Sequence, residues 1–148
     1  MAKIYVSSTY LDLQEFREKV LYHLQRLQQA VTAMEYYLAD DRRPADKCIA
    51  DVQACDIYVG IFAWRYGTMP EENNPDKLSI TEMEYRAARE KGIPCLIFLH
   101  DGKSPWSPDL VDDDKTRIKA FRKKVESEQS AQWFKTADEL ASLVGASL

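Results

Sequence analysis

Apolar positions change period in a regular order along the chain. Ile4-Tyr5-Val6 is a short β-rich run that breaks at Ser7-Ser8-Thr9, after which Leu13, Phe16, Val20, Leu24, Leu27 and Val31 recur at spacings of three and four. That spacing predicts one helix with one apolar stripe, and Thr9 with Asp12 three residues on fits a capping box at its start. Val31 to Met34 predicts a second strand. Pro44 suits the first turn of a second helix, whose apolar face is Ala45, Cys48, Ile49, Val52 and Cys55. Ile57 to Ala63 is continuously apolar, the pattern of a strand covered on both faces. A polar loop from Arg65 to Leu78 follows, holding Pro70, Asn73, Asn74 and Pro75. A third helix from about Thr81 to Lys91 stops at Gly92, with Pro94 just beyond. Cys95 to Leu99 is a fourth strand, Asp101 to Asp114 a second loop, and Lys115 to Glu128 a charged helix with a thin stripe of Ile118, Phe121 and Val125. A short strand around Trp133 and Phe134 precedes a last helix opened by the Thr136-x-x-Glu139 box.

Strictly alternating strands and helices predict an α/β, flavodoxin-like three-layer sandwich with a five-stranded parallel sheet of order 2-1-3-4-5. In such sheets ligands bind beyond the carboxyl ends of the strands, where the winding reverses between strands 1 and 3. Ser7, Ser8 and Thr9 follow strand 1, Glu35 follows strand 2, Trp64, Arg65, Tyr66 and Gly67 follow strand 3, and His100 and Asp101 follow strand 4. At 148 residues the chain is one domain, 1–148, and 45% hydrophobic with 30% charged residues is an ordinary globular composition. Its 20 basic against 24 acidic residues give a net charge of −4, no field for holding a phosphate backbone, so nucleic acid is not expected as a partner. Three cysteines without a CxxC pair and only two histidines predict buried thiols in a reducing compartment and no metal site. No signal-peptide pattern opens the chain and its longest apolar run, Ile57 to Trp64, is too short for a bilayer, so a cytoplasmic protein without a membrane span is expected.

No GxGxxG turn, phosphate-binding GxxxxGK[ST] loop or nucleophile elbow is present, which removes dehydrogenase, P-loop and α/β-hydrolase chemistry. The run from Ser79 to Tyr85 holds two overlapping capping boxes, Ser79 with Glu82 and Thr81 with Glu84. Only one can close the helix. Glutamates two apart are rotated by about 200°, so Glu82 and Glu84 cannot face one cleft together. Each also has a structural reading as a cap or solvent-facing residue. Asp12 with Thr9 reads most simply as a cap, Arg17 as a surface ion-pair partner, Tyr36, Tyr37, Tyr58 and Tyr85 as packing residues, and the stretch 109–128, with six acidic and six basic residues, as a solvated helix face.

Three separated motifs, Lys3-Ile4-Tyr5-Val6-Ser7-Ser8-Thr9-Tyr10-x-Asp12-Leu13, Cys55 to Ile61 with Arg65-Tyr66-Gly67, and Ser79-x-Thr81-Glu82-x-Glu84-Tyr85 before Gly92-x-Pro94, resemble the TIR-like domain of unknown function that precedes NACHT-type and other STAND ATPase modules and TPR repeats. The resemblance covers about residues 3–125, leaving a strand and helix at 130–145. It implies a TIR-like fold and a signalling or effector module of a larger sensor, in a bacterial immunity (antiphage) setting, assembling with itself or with neighbouring domains. The wider clan holds TIR domains and nucleoside deoxyribosyltransferases, whose catalytic glutamate lies early in the helix before the fourth strand. Eight residues before the Gly-x-Pro exit that position is Glu84.

By this resemblance no cofactor is required and NAD, or a related nucleotide, is the substrate of an NAD nucleosidase. Breaking the nicotinamide–ribose bond releases a neutral base, so what needs stabilising is the oxocarbenium-like sugar, a task for a carboxylate. Glu84 takes that role; Ser7, Ser8 and Thr9 line ribose or phosphate, Arg65 pairs with a diphosphate oxygen, Trp64 or Tyr66 stacks on a base, and Glu82 stands beside them. Two alternatives stay open: a module that associates without chemistry, and a deoxyribosyltransferase-like enzyme. For the last no second carboxylate is found across the cleft, since Asp56 opens strand 3 at the opposite end.

Overall fold

The computed structural model describes residues 2–27, 29–33 and 45–148. Strand β1 (Lys3–Ser7) leads into α1 (Gln14–Arg26), then β2 (Ala30–Thr32), α2 (Ala45–Gln53), β3 (Ile57–Phe62), α3 (Ile80–Lys91), β4 (Cys95–His100), a 3-10 turn (Pro108–Leu110), α4 (Thr116–Glu128), β5 (Ala131–Phe134) and α5 (Ala137–Ser147). The sheet runs β2-β1-β3-β4-β5 with every neighbouring pair parallel, the doubly wound order the sequence predicts. The expectations at Met34, Glu35, Tyr36, Tyr37 and Pro44 lie outside the described residues.

The period of two along each strand divides the core. Ile4, Val6, Val59, Ile61 and Phe98 point to one side, where α1 and α5 supply Val20, Leu24, Leu140 and Val144. Tyr5, Tyr58, Phe62, Ile97 and Leu99 point to the other, covered by Val52 of α2, Tyr85 and Ala88 of α3, and Phe121 and Val125 of α4. Burial on both faces is what makes β3 read as an unbroken apolar run. Gly60 sits opposite Ser7 in the β1–β3 register, and a Cβ there would meet the Phe62 ring at 2.7 Å. Only glycine lets that ring lie flat against its own strand.

The structure corrects several local expectations. Thr9 and Asp12 do not cap α1, which starts two residues beyond Asp12; the Thr9 hydroxyl instead donates to Asp12 Oδ1 at 2.5 Å within the preceding turn. The apolar stripe of α1 ends at Leu24, because Leu27 is 46% exposed and Val31 belongs to β2. Arg17 is not on the surface. It is 1% exposed and donates to Ser8 Oγ at 2.7 Å and to the Val6 carbonyl at 3.4 Å. Nor is 109–128 wholly solvated, since Arg122 is buried and donates to the carbonyls of Phe62 (3.1 Å), Ala63 (3.0 Å) and His100 (2.6 Å). Its guanidinium lies 4.0 Å from the centre of the Trp64 ring. These arginines donate to carbonyls at the ends of β1, β3 and β4. Burial pulls the Arg122 pKa down to about 10, so it stays charged at neutral pH.

His100 closes β4 wholly buried, its Nδ1 accepting from Trp64 Nε1 at 3.0 Å and from the Gly102 amide at 3.3 Å. Two donors on Nδ1 place the proton on Nε2, which faces Asp101 Oδ1 at 3.9 Å without a hydrogen bond. Burial pushes the His100 pKa below its usual 6.5, with Arg122 adding to the effect and Asp101 opposing it.

Two outcomes follow from these buried groups. Arg122→Leu strands three carbonyls and is expected to lower the unfolding free energy by about 3 kcal/mol or more; urea titration checks this, and a loss under about 1 kcal/mol would contradict it. Because the folded His100 binds its proton less readily than the unfolded one, the unfolded chain holds more protons below about pH 6.5, and stability falls as pH drops through that value. Urea midpoints between pH 7.5 and 5.5 are expected to show the decline in the wild type and a flatter profile in His100→Phe. Identical slopes would count against the assignment.

Candidate functional site

The entry to α3 decides which glutamate faces the sheet. Ser79 is the cap, in extended backbone with its Oγ accepting from the Glu82 amide at 3.1 Å, so the first of the two candidate caps opens the helix. At the other end Gly92 turns the chain at φ +75°, the left-handed exit that glycine allows. With the helix pinned at both ends, Glu84 lies over β1. Ser7 Oγ donates to its Oε1 at 2.9 Å, and the Tyr5 hydroxyl donates to its Oε2. Tyr5 and Ser7 reach it together because residues two apart on a strand share a face.

Phenols surround this carboxylate. Tyr58, opposite Tyr5 in the register, stacks on it nearly parallel at 6.5 Å between ring centres. The Tyr58 hydroxyl is buried beside Ser7 and Glu84. Burial, and then the Glu84 charge, push the pKa of Tyr5 far above the usual phenol value; Tyr58 is raised for the same reasons. Both remain protonated donors. Glu84 itself is 6% exposed.

Glu82, rotated away, enters a different network. Its Oε1 accepts from the Tyr66 hydroxyl at 2.6 Å and its Oε2 from Arg86 Nε at 2.8 Å and Nη2 at 2.6 Å, so side chains and not backbone amides occupy it. Tyr66 is buried with its ring edge-on to Phe121 and its amide on Asp112 Oδ2 at 2.7 Å. Trp64 is held between the His100 hydrogen bond and the Arg122 guanidinium.

A third group forms where the β1 and β3 loops meet. Ser8 accepts from Arg17 and donates to the Thr9 carbonyl at 2.6 Å, and Thr9 holds one oxygen of Asp12. The other Asp12 oxygen is buried and has no hydrogen-bond partner among the described residues; burial raises the Asp12 pKa, which the Thr9 hydroxyl and then the half-buried Arg65 oppose. Gly67, at φ +99°, brings the β3 loop against Thr9, where a Cβ would come 3.1 Å from the threonine methyl.

Of the residues the sequence singles out, the structure therefore brings Ser7 and Glu84 together, gathers Ser8, Thr9 and Arg65 around Asp12, and sets Trp64, Tyr66 and Glu82 in separate packed networks. Tyr5 and Tyr58 were missing from the expected set. The signal that could have found Tyr5 is its strand period, shared with Ser7. Asp56 lies at the amino end of the sheet, where it accepts from the Lys3 amide at 2.8 Å. Among the described residues no three of His, Cys, Asp and Glu come close enough to hold a metal ion, and no helix is long and apolar enough to cross a membrane.

Comparisons with known proteins bear on the fold and the family. The TIR domains in the crystal structure of the RPS4 and RRS1 TIR domain heterodimer superpose with a TM-score of 0.59, covering 98% of this chain and 94% of that one at 10% identity. The fold is thus TIR-like. A D-inositol 3-phosphate glycosyltransferase of Corynebacterium glutamicum (strain R) is 32% identical over 115 residues, 70% of this chain, and the chain spans only 26% of that curated relative's length. The family model DUF4062, described as a domain of unknown function, matches residues 3–148, and the chain belongs to that family.

Proposed function

We propose that the chain is a TIR-like signalling or effector module of a larger STAND- or NACHT-type sensor, in bacterial immunity, which cleaves the N-glycosidic bond of NAD when copies assemble. The observation that supports this is the bond from Ser7, the last residue of β1, to the Glu84 carboxylate, next to the switch point between β1 and β3 where open α/β sheets bind ligands. In the reaction the C1′–N bond breaks, its electron pair leaves with neutral nicotinamide, and water adds to C1′ and releases a proton. The Glu84 carboxylate faces the cationic sugar; Tyr5 and Ser7 hold that carboxylate in place. Ser8, Thr9 and Arg65 supply hydroxyls and a cation for ribose and diphosphate, with Trp64, Tyr66 and Glu82 behind them. Assembly with copies of itself or with neighbouring domains is in keeping with the paired TIR domains of the structural relative.

A second reading, association without chemistry, draws on one observation: at 6% exposure Glu84 is a buried tie between α3 and β1 as it stands. The two readings separate in one experiment. With the chain fused to an oligomerising partner and supplied with NAD, nicotinamide release is expected, and Glu84→Gln is expected to lower it by at least about 100-fold while far-UV circular dichroism stays unchanged. Assembly with no nicotinamide formed, or equal turnover in both proteins, would favour the module without chemistry.

A further inference from the structure

A dinucleotide needs a flat surface for its base, and the residues that the sequence offers for it, Trp64 and Tyr66, are already engaged. One face of Trp64 lies under the Arg122 guanidinium at 4.0 Å, its Nε1 is bonded to His100, and a Cβ on Gly102 would come 3.1 Å from its ring. Tyr66 is buried with its hydroxyl on Glu82. Trp106, in the loop after β4, packs its ring against Phe16 and His100. Tyr10 is different. It is 41% exposed in the turn that follows β1, where the Leu13 amide donates to its carbonyl at 3.1 Å. Among the described residues its ring makes no aromatic contact and its hydroxyl no hydrogen bond. Leu11 beside it and Met69 in the β3 loop are exposed too, and Gly67 brings that loop against Thr9. Isolated exposed apolar residues are ordinary, but three on two loops in contact at the ligand end of an open sheet mark a binding rim.

Arg65 stands at the same sheet end. It is half-buried, near enough to Asp12 to act on its charge, and makes no hydrogen bond or ion pair among the described residues. A guanidinium carries five donors, so one left without acceptors close to an uncovered aromatic ring offers a phosphate and a base their two partners. We infer that Tyr10 and Arg65 hold the adenylate half of the dinucleotide, the adenine stacked on the Tyr10 ring and its 5′-phosphate on the Arg65 guanidinium. This rests on the NAD reading above, which puts the nicotinamide-side ribose at Glu84. Ser7 bonds that carboxylate, and Tyr10 lies three residues further on, within about 10 Å of extended chain. A dinucleotide with one sugar at Glu84 brings its diphosphate past Ser8 and Thr9 to Arg65 and its second base to Tyr10. Stacking accepts any flat base, so Tyr10 supplies affinity, while the position of Glu84 decides which bond breaks.

Saturation-transfer nuclear magnetic resonance with adenosine monophosphate, on the whole chain alone and fused to the oligomerising partner, reads this half of the site without any catalysis. Adenosine, which lacks the phosphate, and ribose 5-phosphate, which lacks the base, separate the two contacts. Tyr10→Ala is expected to weaken adenosine monophosphate and adenosine about tenfold and to leave ribose 5-phosphate unchanged, the last showing that the fold is intact. Tyr10→Phe keeps the ring and is expected to stay within about twofold of wild type. Arg65→Gln is expected to weaken adenosine monophosphate and ribose 5-phosphate about tenfold and to leave adenosine unchanged. No binding of adenosine monophosphate in either form, or binding that ignores Tyr10→Ala, overturns the inference. The fused proteins are then given NAD. Binding with this pattern but no nicotinamide formed removes the catalytic reading and leaves the adenylate site standing; nicotinamide release with the same KM in wild type and Tyr10→Ala removes the adenylate site and leaves the catalytic reading.

Discussion

A carboxylate taken out of water has to be met by donors, and in this fold that requirement ties α3 to the first strand of the sheet. Glu84 reaches β1 only because Ser79 sets the rotational phase of α3, and its donors Tyr5 and Ser7 present themselves only because they share one face of a strand whose other residues, Ile4 and Val6, fill the opposite core. Shifting the helix start by two residues, to the rival cap at Thr81, would alter the phase on which this contact depends. The helix cap, the strand period and the site are one constraint seen at three scales.

The same sheet end imposes a second demand. Parallel strands finish with carbonyls pointing into loops, and here two buried arginines from opposite layers answer them: Arg17 of α1 at the end of β1, and Arg122 of α4 at the ends of β3 and β4. Arg122 also fixes Trp64, and Trp64 in turn fixes the tautomer of His100. These contacts tie the β3 and β4 ends to α4.

Much of this was legible in the amino-acid sequence. The unbroken apolar run of β3 announces a central parallel strand, Gly92 with Pro94 marks the helix exit, and the alternation of periods yields the strand order. The resemblance to TIR-like domains singles out Glu84, eight residues before Gly92, and Ser7 stands out by its place after the first apolar run. Less legible were groups whose type misleads. Arg17 and Arg122 fall within apolar stripes, Leu13-Arg17-Val20-Leu24 and Ile118-Arg122-Val125, and a cation at a stripe position is a signal for a buried arginine aimed at carbonyls. Two capping boxes two residues apart cannot be ranked from sequence, because each offers the same kind of side-chain acceptor to its own third amide. Trp64 and Tyr66 read as exposed stacking surfaces since loops usually expose them, and tertiary partners from α4 and the 101–114 loop bury them here.

The central claim is that the Glu84 carboxylate, held by Tyr5 and Ser7, meets the ribose of NAD. A crystal structure of the oligomerised chain with a hydrolysis-resistant NAD analogue tests it most directly. The account predicts the anomeric carbon of the nicotinamide-side ribose lying against Glu84. An analogue bound elsewhere, with no part of it against Glu84, would contradict it.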